Sequence, residues 1–263
     1  MNKTKIEWCD ESWNPVTGCL HDCEYCYAKQ MVNRWQGYTG QDGITTYNPY
    51  DGLAVLKMPL MTTSKFGESR RAAFPYGFDP TLHEYRLDEP FKKKTGKTIF
   101  VCSMADLFGE WVPDEWIETV FEACKKAPWH RYLFLTKNPA RYIRLAEEGK
   151  LPTTENVWYG STCTESSDSY FFKTDVNTFV SIEPLLSDFE EASSLKLLTT
   201  GIGWVIIGAE TGSRKVKTVP ERKWVENIVD TCKDAGVPVF MKDSLIDIWG
   251  EPLLRQFPWR CSA

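Results

Sequence analysis

The sequence predicts an α/β protein built around a parallel sheet, and three observations lead to that fold class. Short apolar runs alternate with amphipathic helical patterns along the second half of the chain, as in βαβ units. The runs are almost continuously hydrophobic, which indicates strands covered on both faces. At 263 residues the chain is also long enough for a barrel, which typically needs about 250. Roughly six or seven such units fit either a partial barrel or a doubly wound sheet, and periodicity alone does not separate these.

The N-terminal third of the chain is predicted to be the least regular part. Residues 13–18 indicate a short strand, and a helix is expected from residue 24 to about residue 35. Glycine and proline punctuate residues 36–76, which predicts irregular structure with a partial helix over residues 58–71. We expect residues 36–90 as a whole to form an insertion or lid, because long loops of this kind are often functional.

More regular elements are predicted from residue 98 onwards. The expected strands cover residues 98–102, 132–136, 157–161, 178–182, 204–208 and 237–241. The expected helices cover residues 113–126, 137–149 and 221–235. Residues 244–263 are predicted to form a C-terminal tail, and residues 1–263 together a single domain.

Composition and charge exclude several classes of protein. No apolar run approaches the roughly 20 residues of a membrane span, and the first residues lack the apolar core of a signal peptide. Nine cysteines in such a chain fit a reducing cytoplasm, where thiols serve metals or the core. The formal charge of −5 argues against a broad positive surface for long nucleic acids, but leaves room for a local basic patch. We therefore expect a cytoplasmic protein without a membrane partner.

Three closely spaced cysteines are the strongest functional signal in the sequence. Cys19, Cys23 and Cys26 lie on one short segment, and Tyr25 directly precedes the last of them. Iron–sulfur clusters are held by cysteine thiolates, and a fully protein-ligated cubane uses four of them. A set of three therefore predicts a cubane with one iron left for a substrate or cofactor, which indicates catalysis rather than simple electron transfer.

Two other interpretations of these cysteines remain open. Positions 19, 23 and 26 also share one face of a helix, so the side chains could be ordinary core residues. A structural zinc site is the second alternative, with His21 or Cys9 as the fourth ligand. The protein would then be a zinc-binding interaction protein.

Polar residues follow each of the predicted strands. Because active sites lie at the carboxyl ends of parallel barrel strands, we expect these side chains to converge on one mouth. Taken singly, each could be an ordinary cap or loop residue, but their recurrence favours a site. The residues concerned are Ser103, Asp106, Thr136, Lys137, Asn138, Ser161, Thr162, Ser181, Glu183, Glu210, Lys242 and Asp243.

A basic loop follows the predicted strand at residues 204–208. Glu210 leads into Arg214, Lys215 and Lys217, which concentrate positive charge in an acidic chain. Arginine and lysine are the usual partners of phosphate oxygens, so the loop predicts a seat for phosphate or another anion on the substrate. A solvated basic loop without a ligand is the alternative.

Residues 18–27, which we call the cysteine segment, contain the pattern C-x3-C-x-aromatic-C. This pattern resembles the signature of radical SAM enzymes. This resemblance implies that Cys19, Cys23 and Cys26 are catalytic ligands of a [4Fe–4S] cluster. Its open iron would chelate S-adenosylmethionine (SAM), and an electron from a flavodoxin-type or ferredoxin-type donor would give a 5′-deoxyadenosyl radical. The resemblance also selects a partial (βα)6 TIM-type barrel, with an irregular insertion after the first helix.

A SAM molecule bound in this way needs further contacts to its ammonium, carboxylate, ribose and adenine. The residues expected to bind the cofactor are Tyr25, Ser103, Asp106, Lys137, Thr162, Ser181 and Glu183. The residues expected to bind the substrate are Glu210, Arg214, Lys215, Lys217 and Lys242. The Gly-Gly-Glu motif that the superfamily carries after its second strand is absent; residues 103–106 stand in its place.

Several further motifs resemble a phage-encoded family within this superfamily, most of whose members have no assigned reaction. The motifs lie at residues 13–19, 103–108, 135–139, 181–186 and 207–212. Some phage proteins of this kind are linked to thymidine hypermodification, in which an N-linked glycinyl-thymidine is isomerised to the C-linked form, helping viral DNA to evade restriction. The resemblance thus implies an isomerase in the host cytoplasm acting on a modified nucleobase or nucleotide. A radical enzyme acting on a protein or small metabolite is the alternative.

Overall fold

The computed structural model describes residues 1–35, 45–48, 52–63, 67–189, 200–212 and 216–260. These residues form a mixed α/β structure with two compact units, Met1–Tyr132 and Leu133–Ala263. Among them we find no helix with the length and apolarity that crossing a bilayer requires.

The strands have between two and six residues. They are β1 Asn2–Lys3, β2 Glu11–Trp13, β3 Val16–Thr17, β4 Thr45–Asn48, β5 Leu53–Leu56, β6 Met61–Thr63, β7 Ser69–Arg71, β8 Thr81–His83, β9 Thr98–Val101, β10 Arg131–Thr136, β11 Val157–Thr162, β12 Asn177–Ile182, β13 Val205–Ile207 and β14 Val239–Met241. The α-helices are α1 Tyr27–Trp35, α2 Glu89–Lys92, α3 Asp114–Lys125, α4 Pro139–Glu147, α5 Arg222–Asp234 and α6 Ile246–Trp249.

In the first unit, strand β2 precedes the cysteine segment along the chain. It pairs in parallel with β9, with Trp13 opposite Val101, and antiparallel with β1. Both β2 and β9 are buried along their whole length, as the apolar sequence of β9 predicts; in β2 the buried Glu11 is compensated by Lys93. The chain continues through β3 directly into the cysteines, so the segment begins close to the carboxyl end of β2.

The segment between α1 and α2 is more regular than the sequence indicates. Strands β3, β8, β5 and β4 form a second sheet in that order, and β6 and β7 form an antiparallel pair. The partial helix predicted over residues 58–71 is therefore wrong for its described residues. Thr62 and Thr63 are β-branched, which disfavours a helix, and strand pairing of Thr62 with Arg70 satisfies the backbone instead.

The second unit contains the strand order β10-β11-β12-β13-β14. Strands β11 to β14 are parallel, and Ile207 of β13 lies opposite Ile182 of β12 and Met241 of β14. Val225 and Ile228 of α5 belong to the same buried cluster as these strand residues. The predicted strands in this unit agree with the structure to within two residues, because their apolar runs are bounded by polar and turn residues. Closure into a partial barrel stays a prediction.

The C-terminal residues lie against β14. The N–H of Met241 donates to the carbonyl of Leu254 (2.8 Å), and the N–H of Gln256 donates to the carbonyl of Val239 (3.0 Å). The predicted tail at residues 244–263 thus satisfies the outer edge of β14, which would otherwise expose unpaired backbone groups.

Candidate functional site

The cysteine segment is fixed at its start by backbone contacts with two distant parts of the first unit. The N–H of Gly18 donates to the carbonyl of Met104 (2.9 Å), and the N–H of Cys19 donates to the carbonyl of Phe78 (3.1 Å). Gly18 has a φ of +89°, and a Cβ there would lie 2.2 Å from the carbonyl oxygen of Asp79. Only glycine fits this close approach, so the position of Cys19 depends on it.

The three thiols lie close enough to influence one another. All three cysteines are half-buried and free of disulfides. Burial raises the pKa of the Cys19 thiol to about 12; a hydrogen bond from the backbone of His21 opposes this rise, and Asp106, Cys23 and Cys26 add to it. The raised pKa keeps the Cys19 thiol protonated near neutral pH, so its deprotonation would need a compensating positive charge such as a metal cation.

Cys26 caps the helix that follows it. Helix α1 begins at Tyr27, and the N–H of Lys29 donates to Sγ of Cys26 (3.3 Å), which is the position of an N-cap acceptor. The N–H of Cys26 itself donates to the carbonyl of Cys23 (3.1 Å), closing a tight turn between the two thiols. Hydrogen bonds to cysteine sulfur stabilise negative charge there and are among the features that tune iron–sulfur clusters.

A histidine–aspartate pair ties the middle of the segment to the loop after β9. Nε2 of His21 lies 2.8 Å from Oδ2 of Asp106, and the N–H of Phe108 donates to Oδ1 of Asp106 (3.0 Å). The His21 ring also meets the edge of Trp111, with 4.8 Å between ring centroids. Asp106, which the sequence assigned to SAM, therefore holds the cysteine segment in this structure.

Asn14 is a second positioning residue, and its role was not predicted from the sequence. Its Oδ1 accepts hydrogen bonds from Oγ of Ser103 (3.2 Å) and from the N–H of Met104 (3.0 Å). Tyr27 donates its hydroxyl to the carbonyl of Ser103 (2.5 Å), and Arg86 donates to the carbonyl of Asn14 (2.9 Å). The signal that could have found Asn14 is its place directly after a buried strand.

Three cysteine thiols are the donors that this segment offers to a metal or cluster. Across the part of the chain that the structure describes, no group of three or more histidine, cysteine, aspartate or glutamate side chains is arranged to hold a metal ion. Binding of a metal or cluster by these cysteines therefore stays a prediction.

The second unit contains an ion pair at the carboxyl ends of its parallel strands. Nζ of Lys242, just after β14, donates to Oε1 of Glu183, just after β12. Gly208 follows β13 and lies between them; a Cβ there would lie 3.0 Å from Cδ of Lys242 and 3.2 Å from Cγ of Glu183. The two charged side chains meet across an intervening strand because that position has no side chain.

The remaining predicted residues of the second unit are more dispersed. Ser181 is buried and lies opposite Thr162 in the register of β11 and β12. Lys137 is near enough to Cys163 to oppose the rise that burial causes in the pKa of that thiol. Oε2 of the buried Glu210 accepts the N–H of Thr218 (3.3 Å), so Glu210 holds its own loop.

The basic loop is only partly described. Lys217 is exposed, whereas Arg214 and Lys215 lie outside the described residues. The predicted anion seat on this loop therefore stays a prediction.

Comparison with known proteins gives a family but no activity. No curated protein and no solved structure matches the chain. A family match covers residues 3–252, which include the cysteine segment and the Glu183–Lys242 pair. The chain belongs to the family described as "Protein of unknown function (DUF5131)".

Proposed function

We propose that this protein is a radical SAM enzyme in which Cys19, Cys23 and Cys26 hold a [4Fe–4S] cluster. The observation that carries the proposal is the cysteine segment: three half-buried thiols in mutual proximity, two of them accepting backbone N–H groups. Three protein thiolates leave one corner of a cubane for SAM. When bound, the cluster and SAM would supply a 5′-deoxyadenosyl radical that abstracts hydrogen from the substrate.

The chain's own residues then have positioning and shielding roles. Gly18 and the His21–Asp106 pair fix the cysteine segment, so that the thiolates are arranged before the metal binds. Trp111 covers one side of His21 and limits access of water to it. The proposal includes closure of the parallel strands into a partial (βα)6 barrel.

The Glu183–Lys242 pair suits a ligand that carries both charges. Glu183 would contact an ammonium and Lys242 a carboxylate or phosphate, and each charge is compensated by the other before the ligand binds. Both the amino-acid end of SAM and a glycinyl substituent have this zwitterionic chemistry. Thr162, Ser181 and Lys137 are the other candidates for cofactor contacts in this unit.

The substrate we propose is a modified nucleobase or nucleotide, and the reaction an isomerisation such as N-linked to C-linked glycinyl-thymidine. Support comes from the phage-family resemblance and from the basic loop that contains Lys217. Hydrogen abstracted from the substrate would be returned after rearrangement, so the isomerisation needs no net oxidant. A radical enzyme acting on a protein or small metabolite is the second candidate within the same chemistry.

Anaerobic reconstitution with iron and sulfide tests the cluster. We expect a brown protein absorbing at about 400 nm, and 5′-deoxyadenosine after addition of SAM and dithionite. Single Cys→Ser variants at positions 19, 23 and 26 should lose both, whereas Cys9→Ser, a half-buried cysteine of the same unit, should keep both. Stoichiometric zinc without sulfide, lost in Cys9→Ser or His21→Asn, would instead establish the zinc-binding alternative.

The substrate class needs a separate test. The Lys217→Ala variant should lose turnover of phosphate-bearing substrates while cleaving SAM normally in the absence of substrate. Matched loss with a peptide or a phosphate-free metabolite would contradict a nucleotide substrate and favour the second candidate.

A further inference from the structure

Two exposed aromatic rings in the first unit share a single lysine. Phe91 and Trp129 are 49% and 36% exposed, and their ring centroids lie 5.9 Å apart. Nζ of Lys94 lies 3.5 Å from the Phe91 centroid and 4.8 Å from the Trp129 centroid. We call these three residues the aromatic–lysine patch. Single exposed apolar residues are ordinary, but two adjoining exposed rings form a contiguous patch and so a candidate interaction surface.

Hydrogen bonds hold the Trp129 ring and the backbone beside Phe91 in place. Nε1 of Trp129 donates to the carbonyl of Lys93 (2.7 Å). The buried His130 accepts the N–H of Lys97 on Nδ1 (3.1 Å), and its Nε2 lies 3.0 Å from the carbonyl of Pro90. A Cβ at Gly96 would lie 2.7 Å from the carbonyl oxygen of Trp129, so the two segments touch along their backbones. The patch is thus pre-organised, which lowers the entropy cost of binding a partner.

The two segments that contain the patch, residues 91–97 and 125–131, are rich in positive charge. The basic residues on them are Lys92, Lys93, Lys94, Lys97, Lys125, Lys126 and Arg131. Ion pairs with acidic neighbours compensate some of them, including Lys92 with Asp88 and Lys93 with Glu11. The ammonium of Lys94 lies over ring faces, where it can be released to a stronger anion. A chain with a formal charge of −5 therefore has a local surface that attracts anions.

We propose that the aromatic–lysine patch binds single-stranded nucleic acid. A base would stack on Trp129 or Phe91 and displace the Lys94 ammonium from the rings onto a backbone phosphate. Aromatic platforms beside lysines are the usual means of holding single strands, because every unpaired base offers a π-face. In a duplex the faces of the bases are already stacked, so single strands should be preferred.

This site is distinct from the cysteine segment and does not depend on the proposed function. Strands β2 and β9 are parallel, the cysteines follow the carboxyl end of β2, and the patch precedes the amino end of β9. The two sites therefore lie at opposite ends of strands, and a strand of four residues spans about 13 Å. The patch would anchor a polymer rather than present the reacting base.

Fluorescence anisotropy with a labelled oligothymidylate of about 15 nucleotides tests the proposal, at several salt concentrations and on the chain as purified without a cluster. Phe91→Ala should weaken binding by about five- to thirtyfold. Lys94→Ala should weaken binding and reduce the salt slope by about one. Phe172→Ala and Lys173→Ala, at exposed positions of the second unit, are matched controls and should bind normally.

Several outcomes would overturn this proposal. They are no binding at low salt, affinity unchanged in both Phe91→Ala and Lys94→Ala, equal affinity for a duplex of the same length, or equally effective displacement by polyglutamate. The last would assign the patch to an acidic protein. Thermal melting confirms that the variants are folded. Binding retained in a triple Cys→Ser variant at positions 19, 23 and 26 would show that the patch binds nucleic acid whether or not the protein is a radical SAM enzyme.

Discussion

The cysteine segment and the Glu183–Lys242 pair are positioned by different means. The cysteine segment is held by hydrogen bonds that it donates to Met104, Phe78 and Asp106, which are remote from it in sequence. The ion pair is held by the register of three parallel strands and by the lack of a side chain at Gly208. A loop site of the first kind depends on many separate contacts, whereas a strand-end site of the second kind follows from the sheet itself.

The largest effect should come from Gly18→Ala, which should displace the start of the cysteine segment. The added Cβ would meet the carbonyl of Asp79 at 2.2 Å in a backbone conformation that alanine disfavours. We expect a loss of about 3 kcal/mol or more in the free energy of unfolding, measured with urea, and loss of iron binding. Gly236→Ala is the control, since its φ is also positive but no atom lies within 4 Å; equal losses in both would show that only backbone strain matters.

A smaller effect is expected from Asp106→Asn, which replaces an acceptor shared by His21 and the backbone of Phe108. The amide NH2 then faces a donor, so unfolding should become easier by about 1–3 kcal/mol. Iron should also be released faster to a chelator after reconstitution. Asp168→Asn removes a similar acceptor of backbone N–H groups in the second unit and should leave iron release unchanged. Unchanged release in Asp106→Asn would mean that the His21–Asp106 contact does not position the cysteines.

The pH dependence of unfolding tests how much the buried His83, which contacts Thr17 just before the cysteine segment, stabilises the protein. His83 contacts Thr17 (2.8 Å) and Tyr85 (3.2 Å), and burial together with Arg86 lowers its pKa well below 6.5. Below pH 6.5 the unfolded chain therefore binds a proton that the folded chain does not. The stability contribution of neutral His83 is fully present above about pH 6.5 and is lost as the pH falls, by up to about 1.4 kcal/mol per unit.

The His83→Gln variant isolates this effect. Glutamine is uncharged at every pH, so its free energy of unfolding should vary less between about pH 7.5 and 5.5 than that of the wild type. Urea titrations at several pH values measure the difference. Parallel profiles for the two proteins would show that another group causes the pH dependence.

The smallest expected effect concerns the Glu183–Lys242 pair at the strand ends. A double-mutant cycle with Glu183→Gln and Lys242→Met should give a coupling energy of about 1 kcal/mol, as expected for a half-buried pair. In a Gly208→Val background the coupling should fall towards zero, because the new side chain occupies the gap that the pair crosses. A coupling that survives Gly208→Val would refute the role assigned to this glycine.

Strands of the second unit could be predicted well because their apolar runs are bounded by turn residues and alternate with helical patterns. β12 and β13 are examples, and both are buried. The segment between α1 and α2 was predicted poorly because strands such as β6 and β7 have no apolar run and are defined by their pairing with each other. Such short pairings have almost no local signal.

The candidate sites likewise combine features that have a local sequence signal with contacts that have none. The spacing of Cys19, Cys23 and Cys26 and the polar residues at strand ends could be found from residue types alone. The His21–Asp106 contact joins residues 85 positions apart, and nothing local predicts it. Asn14 was likewise missed because its partners, Ser103 and Met104, meet it only in the folded chain.

Sequence alone determined that parallel strands alternate with helices and that three thiols share one short segment, since hydrophobic periodicity and local spacing are properties of neighbouring residues. Only the tertiary structure decided which groups hold that segment, and that Gly208 leaves room for Glu183 to meet Lys242. Those contacts join residues distant along the chain, so they exist only once burial and strand register bring them together.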